Sequence, residues 1–155
     1  SNQSLRGFFS RLAPEHAEKL WLVAVLLVIA LVWFTMERLS QENQAVLMLL
    51  AASVSLLCSP VSWSHHFTWL VLAGVLLVAR RHWGLAALTW LALLARGHWL
   101  VPHANDQELG WAWWQHIVGN DYAIVTALLV LCSLPLALRR ADAYQSAVEP
   151  ASTQG

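Results

Sequence analysis

Residues 20–36 run for 17 positions without a charge. That is the lower limit of what an α-helix needs to cross the roughly 30 Å hydrocarbon core of a bilayer. No other feature restricts the fold as much. Four further apolar runs follow, at 45–58, 67–79, 83–95 and 122–138. The middle three are short for complete spans and would have to gain turns from their flanks. Composition agrees: 58% of the 155 residues are hydrophobic and 12% charged, against roughly 45–50% and 25% in soluble domains. The expected fold is an all-α membrane protein. Residues 1–140 would form about five transmembrane helices at those five runs, together with interfacial amphipathic helices. Residues 141–155, rich in Ala, Ser, Gln and Pro, would form a disordered tail.

The charges orient these spans. Arg80-Arg81 and Arg139-Arg140 each close an apolar run and are separated by two spans, so they share a side with the polar loop 37–44. The positive-inside rule makes that side cytoplasmic, and with it the C-terminus. Residues 1–19, 59–66 and 96–121 then lie outside, in a multi-pass protein of the cytoplasmic membrane. The balance of 9 Lys+Arg against 9 Asp+Glu gives no basic field of the kind nucleic acid requires. Cys58 and Cys132 sit within apolar runs at no metal-type spacing, as small buried hydrophobes. Ser1 is not followed by the ordered regions of a signal peptide, and the chain is expected to be a piece of a longer protein.

Near the start, Leu5, Phe8, Phe9 and Leu12 recur at helical spacing, with Arg6, Ser10 and Arg11 on the opposite face and Ser4 as the N-cap. A short helix lying in the membrane interface is expected, ended or restarted at Pro14. Arg6 and Arg11 are candidates to grip an anion, since a guanidinium binds phosphate through two parallel bonds; the bland reading is headgroup anchoring. Between 96 and 121, Trp99, Trp111, Trp113 and Trp114 alternate with polar residues, as in an interfacial loop or an aromatic belt.

The sharpest chemical signal is Ser59-Pro60-Val61-Ser62-Trp63-Ser64-His65-His66, where one apolar run ends and the next begins. Polar, titratable groups at such a mouth are costly unless they meet water, headgroups or a ligand. With Ser64 as N-cap, a helix starting at His65 would aim free N–H groups at an anion. His98, His103, His116 and Asp106 share that side, but their spacings match no zinc signature, and no metal site is expected. Asp106, Glu108 and Asp121 could include a general base, although loop carboxylates are mostly just solvated. A different reading makes the chain part of a non-catalytic membrane subunit or transporter in which the histidine pair gates or binds an ion.

Three strings, Asn2-Gln3-Ser4-Leu5-Arg6-Gly7, Ser59 to His66, and Trp111-Ala112-Trp113-Trp114-Gln115 with Gly119-Asn120-Asp121-Tyr122, together resemble the C-terminal part of glycosyltransferase family 87. Family members are actinobacterial membrane mannosyltransferases of the GT-C type that use polyprenyl-phosphate mannose. The resemblance implies inverting transfer of mannose in α-(1→2) linkage to a phosphatidylinositol mannoside, lipomannan or related glycan, at the outer membrane face. It implies a donor-phosphate site at His65, His66 and Arg6, with Asn2, Gln3, Ser4, Ser59, Pro60, Ser62 and Trp63 supporting it. No cofactor is implied. The general base it implies is an acidic residue in a first outer loop, upstream of this chain. None of Asp106, Glu108 and Asp121 is therefore given that role, and the fragment alone is expected to be inactive.

Overall fold

The computed structural model describes residues 2–39, 43–104 and 106–148. Among them the chain is helical, with no strand. Seven α-helices follow one another: α1 (Leu5–Leu12), α2 (Ala17–Arg38), α3 (Gln44–Cys58), α4 (Trp69–Ala79), α5 (Trp83–Ala95), α6 (Trp113–Gly119) and α7 (Asp121–Val148). Short 3₁₀ turns at Pro14–His16, Ser64–Thr68, Gly97–Trp99 and Gln107–Gly110 join them. Each apolar run became a helix, and punctuation residues set the ends. Pro14 opens the turn that restarts the chain after α1, and α3 stops at Ser59, the residue before Pro60.

The packing is centred on α7. One core cluster joins Val32 and Leu39 of the α2 end to Leu50 and Leu57 of α3 and to Ala123 and Val130 of α7. A second joins Leu56, Phe67, Leu70 and Ala92 to Tyr122 and Val125 of the same helix. Phe67 and Leu57 are the largest apolar side chains with almost no exposure. Burying one such side chain contributes roughly 1.5–3 kcal/mol, so α7 and the turn before α4 are tied firmly to the bundle.

Large apolar side chains face outward and hydroxyls face inward. Leu26, Leu27 and Trp33 of α2 are each about two-thirds exposed, whereas Thr35, Thr89 and Thr126 are buried. Those threonines return their hydroxyl protons to the carbonyls of Leu31, Leu85 and Tyr122 at 2.7–2.8 Å, so none is left unpaired. This distribution is the reverse of a water-facing bundle.

The helix lengths revise the expected span count. The stretch Pro14–Arg38 is long and apolar enough to cross a bilayer, its α2 part reaching about 33 Å at 1.5 Å per residue. A second candidate is a pair, Trp113–Gly119 with Asp121–Pro135, bent by 76°. By contrast α3, α4 and α5 have 15, 11 and 13 residues, about 22, 16 and 20 Å. By their own lengths these three do not reach across a bilayer core, although the 3₁₀ turn before α4 extends it to an apolar helix over Ser64–Ala79. At the far end α7 continues through Arg139 and Arg140 to Val148, where a disordered tail was expected from residue 141. Ala141, Ala143 and Ala147 favour helix, and Pro150 disfavours it just beyond. The remaining tail positions, 149–155, lie outside the described residues.

Both ends of the bundle are recognisable. The α4–α5 turn is joined to the start of α3, where Arg80 Nη2 donates to Asn43 Oδ1 at 3.2 Å. The opposite end gathers residues 2–4, 59–66, 97–98 and 119–121.

Candidate functional site

Asn2 connects the first two strings. Its Oδ1 accepts from the Ser62 N–H at 2.9 Å and from the Ser4 N–H at 3.0 Å, while its Nδ2 donates to the Pro60 carbonyl at 2.9 Å. The Gln3 N–H donates to the Ser62 carbonyl at 2.7 Å. Ser62 is buried and donates its hydroxyl to the Leu56 carbonyl at 2.7 Å, while Ser59 Oγ donates to the Val61 carbonyl at 2.8 Å. Proline leaves residue 60 without an N–H, so the turn has fewer donors to satisfy. Ser59, Ser62 and Asn2 pair backbone groups of the turn through their side chains.

The third string enters the same knot. Gln3 Nε2 donates to the Gly119 carbonyl at 2.8 Å. Arg11 Nη2 donates to the Asn2 carbonyl at 2.7 Å and also to Asn120 Oδ1. Asn120 Nδ2 donates to the His116 carbonyl at 2.7 Å, fixing which way its amide faces. Two glycines allow the close approaches: a Cβ at Gly7 would strike the Asn2 carbonyl, and one at Gly119 would strike the Trp111 ring.

Arg11 therefore departs from the sequence expectation. It is 4% exposed, lies over the Trp111 ring, and among the described residues has Glu108, at 3.8 Å, as its carboxylate partner. Burial pulls its guanidinium below the ordinary arginine value, and Glu108 partly opposes this. It is a structural cross-link, not an anion-gripping group on an outer helix face. The inward face of α1 is Ser4, Gly7 and Arg11, spaced i, i+3 and i+7, while Leu12 is half-exposed. The inward face is held by hydrogen bonds, and the apolar stripe Leu5, Phe8, Phe9 and Leu12 is half-buried to exposed.

On this scaffold the chain leaves Trp63 extended and turns through Ser64–Thr68 as a 3₁₀ helix. The His66 N–H donates to the Trp63 carbonyl at 2.9 Å, and the Trp63 N–H donates to His66 Nδ1 at 3.2 Å. Trp63 is thus the cap residue, with His66 as the reciprocal group. The α-helix start expected at His65, with Ser64 as its cap, does not form, because the chain makes a tighter turn before α4. Both histidines are exposed, their rings 4.3 Å apart and nearly perpendicular. Accepting at Nδ1 leaves His66 with its proton on Nε2, as an outward donor. Phe67 then plugs the core against Tyr122.

Arg6 lies elsewhere. It pairs with Glu18 at 2.6 Å and sits over Trp21, and the Glu18 hydrogen bond raises its guanidinium above the ordinary value. Among the described residues no hydrogen bond or ion pair joins it to either histidine. Sequence reasoning also missed a buried pair: His98 Nδ1 lies 3.2 Å from Asp121 Oδ1, whose other oxygen accepts from the Gly97 N–H at 2.7 Å. Their separation of 23 residues left no local signal. His103 bonds the Val101 carbonyl, His116 stacks near Trp111, and Asp106 is exposed in a left-handed turn. Trp111 is buried and donates to the Pro102 carbonyl, while Trp99, Trp113 and Trp114 are exposed.

The model of glycosyltransferase family 87 matches residues 1–60, which include the first string and the start of the second. Among curated proteins, a polyprenol-phosphate-mannose-dependent α-(1-2)-phosphatidylinositol mannoside mannosyltransferase of Mycobacterium tuberculosis is 30% identical over 151 residues, covering 90% of this chain and 35% of that protein. The protein of the same description in Mycolicibacterium smegmatis is 32% identical over 140 residues, covering 79% and 31%. A polyprenol-phosphate-mannose-dependent α-(1-2)-phosphatidylinositol pentamannoside mannosyltransferase of M. tuberculosis is 31% identical over 135 residues, covering 81% and 31%. The chain spans about a third of the length of these relatives. No solved structure gives a significant match. With the family model on its first 60 residues and mannosyltransferase relatives along most of its length, the chain is similar to glycosyltransferase family 87.

Proposed function

We propose that this chain is the donor-phosphate end of a multi-pass membrane mannosyltransferase, and that His65 and His66 meet the phosphate of polyprenyl-phosphate mannose. The acceptor is a lipid-linked mannoside or glycan, joined in α-(1→2) linkage with inversion at the outer face of the cytoplasmic membrane. The observation that carries this reading is the exposed histidine pair on a turn whose backbone is anchored by the first string, which is itself bonded to the third. The relatives' names supply the donor and the acceptor class, and the apolar exterior of α2 supports the membrane.

In the transfer, an acceptor hydroxyl attacks C1 of mannose and its proton passes to a base not assigned to this chain. The C1–O bond to phosphate breaks, and its electron pair leaves on the polyprenyl phosphate. Negative charge grows on the phosphate oxygens as that bond lengthens. A donor fixed in place before the reaction stabilises that charge without reorganising, and removing one such donor commonly costs about 10²–10³ in rate. The His66 Nε2–H has that character, because its ring is held at Nδ1. Arg6 would join only after exchanging Glu18 for phosphate.

The test is mannosyl transfer by the complete encoded protein carrying His65→Ala or His66→Ala. At least one variant is expected to lose about a hundredfold or more of its turnover, while keeping its thermal unfolding midpoint. Full turnover in both would reduce the turn to a structural element.

A further inference from the structure

We propose a second lipid site, at the end of the bundle opposite the histidine pair. It holds an anionic phospholipid, one acyl chain lying between α3, α4, α5 and α7 and the phosphate meeting Arg80 and His82. A cavity of about 320 Å³ reaches that end at Arg80 and His82 and runs along α4 back to Trp69, lined by Leu49 and Leu50, Ala73 and Leu77, and Leu129 and Cys132 among others. That is the lower end of the range for ligand pockets. Its three hydroxyls are already engaged: Ser53 with the Leu49 carbonyl at 2.8 Å, Thr126 with Tyr122 at 2.7 Å and Ser133 with Val130 at 2.6 Å. The walls thus offer an incoming molecule no unpaired hydroxyl, and what suits them is a hydrocarbon chain.

The rim has the opposite character. Arg80 and His82 are the ionisable groups lining the cavity apart from the Cys132 thiol, with Arg81 exposed between them. Arg80 bonds a neutral amide, Asn43 Oδ1, and among the described residues no carboxylate pairs with it. An apolar slot beneath a cation with no carboxylate partner among the described residues fits a lipid with a charged phosphate, and basic pockets between membrane helices recognise such headgroups. Charge complementarity selects an anionic lipid over a zwitterionic one. The site stands apart from the transfer reaction and does not depend on it.

The native cysteines provide the test. Cys132 lines the cavity and Cys58 does not. The complete encoded protein is placed in nanodiscs of phosphatidylcholine, alone or mixed with phosphatidylglycerol of the same acyl chains. Maleimide labelling of each cysteine is then followed by mass spectrometry. Phosphatidylglycerol is expected to slow Cys132 labelling about fivefold, the factor given by about 1 kcal/mol per basic residue, and to leave Cys58 unchanged. Arg80→Gln should abolish the difference between the lipids. Equal Cys132 rates in the two lipids would overturn the site, as would equal slowing of both cysteines. Protection by inorganic phosphate alone would also overturn it, because no acyl chain would be needed.

Discussion

Asn2 makes three hydrogen bonds with one short side chain, and two of them satisfy backbone N–H groups that have no other route to a partner. Asn2→Ala removes all three, and orphaned donors cost more than the net value of the bonds they made, so a loss of about 2–4 kcal/mol is expected. Asn2→Asp keeps the acceptor and loses only the bond to Pro60, and should cost roughly half as much. Thermal unfolding of the two variants beside wild type checks the ranking; equal midpoints in all three would contradict it. Arg11 carries a comparable share through Nη2, which donates to both partners. Arg11→Lys retains the charge but lacks the planar guanidinium that lies over Trp111 and has a more strongly hydrated head to bury, so it should behave nearly as badly as Arg11→Met. The string Asn2-Gln3-Ser4 drew attention by resemblance, but nothing near Arg11 in sequence announced its burial. Its side-chain partner is 109 residues away.

Among the elements, the apolar helices were legible because each run is bounded by a proline, a polar loop or a basic pair. Residues 83–95 became α5 without change of boundary. The turn at Ser64–Thr68 was not legible, since whether a serine-capped α-helix or a 3₁₀ turn forms there depends on His66 folding back onto Trp63. The inward face of α1 was hidden for a related reason: hydrogen bonding outweighed the apolar stripe. The α4–α5 turn offers a separate check. Arg81 has φ 62°, the left-handed region where a non-glycine residue is disfavoured. Arg81→Gly should stabilise the turn by about 0.5–1 kcal/mol, and Arg81→Val should destabilise it by a similar amount. Thermal midpoints moving the other way would show that the Arg81 side chain itself stabilises the turn.

For the whole molecule, the two ends carry different chemistry. One end holds the polar knot and the histidines; the other holds Arg80, His82 and Asn43. If the bundle spans the membrane as proposed, cysteines placed at Ser64 and Arg140 in a protein lacking Cys58 and Cys132 should label from opposite faces. Labelling from one face would overturn that topology. The account rests most heavily on three strings, distant in sequence, acting as one unit beneath the histidines. A double-mutant cycle of Arg11→Met and Asn120→Leu in the complete encoded protein, read by reversible unfolding, measures that directly. Contacting residues in one network couple by about 0.5–3 kcal/mol. A coupling of at least about 1 kcal/mol is predicted for this hydrogen bond from a charged donor. Additive effects, with no coupling beyond error, would contradict the tie between α1 and the third string through Arg11.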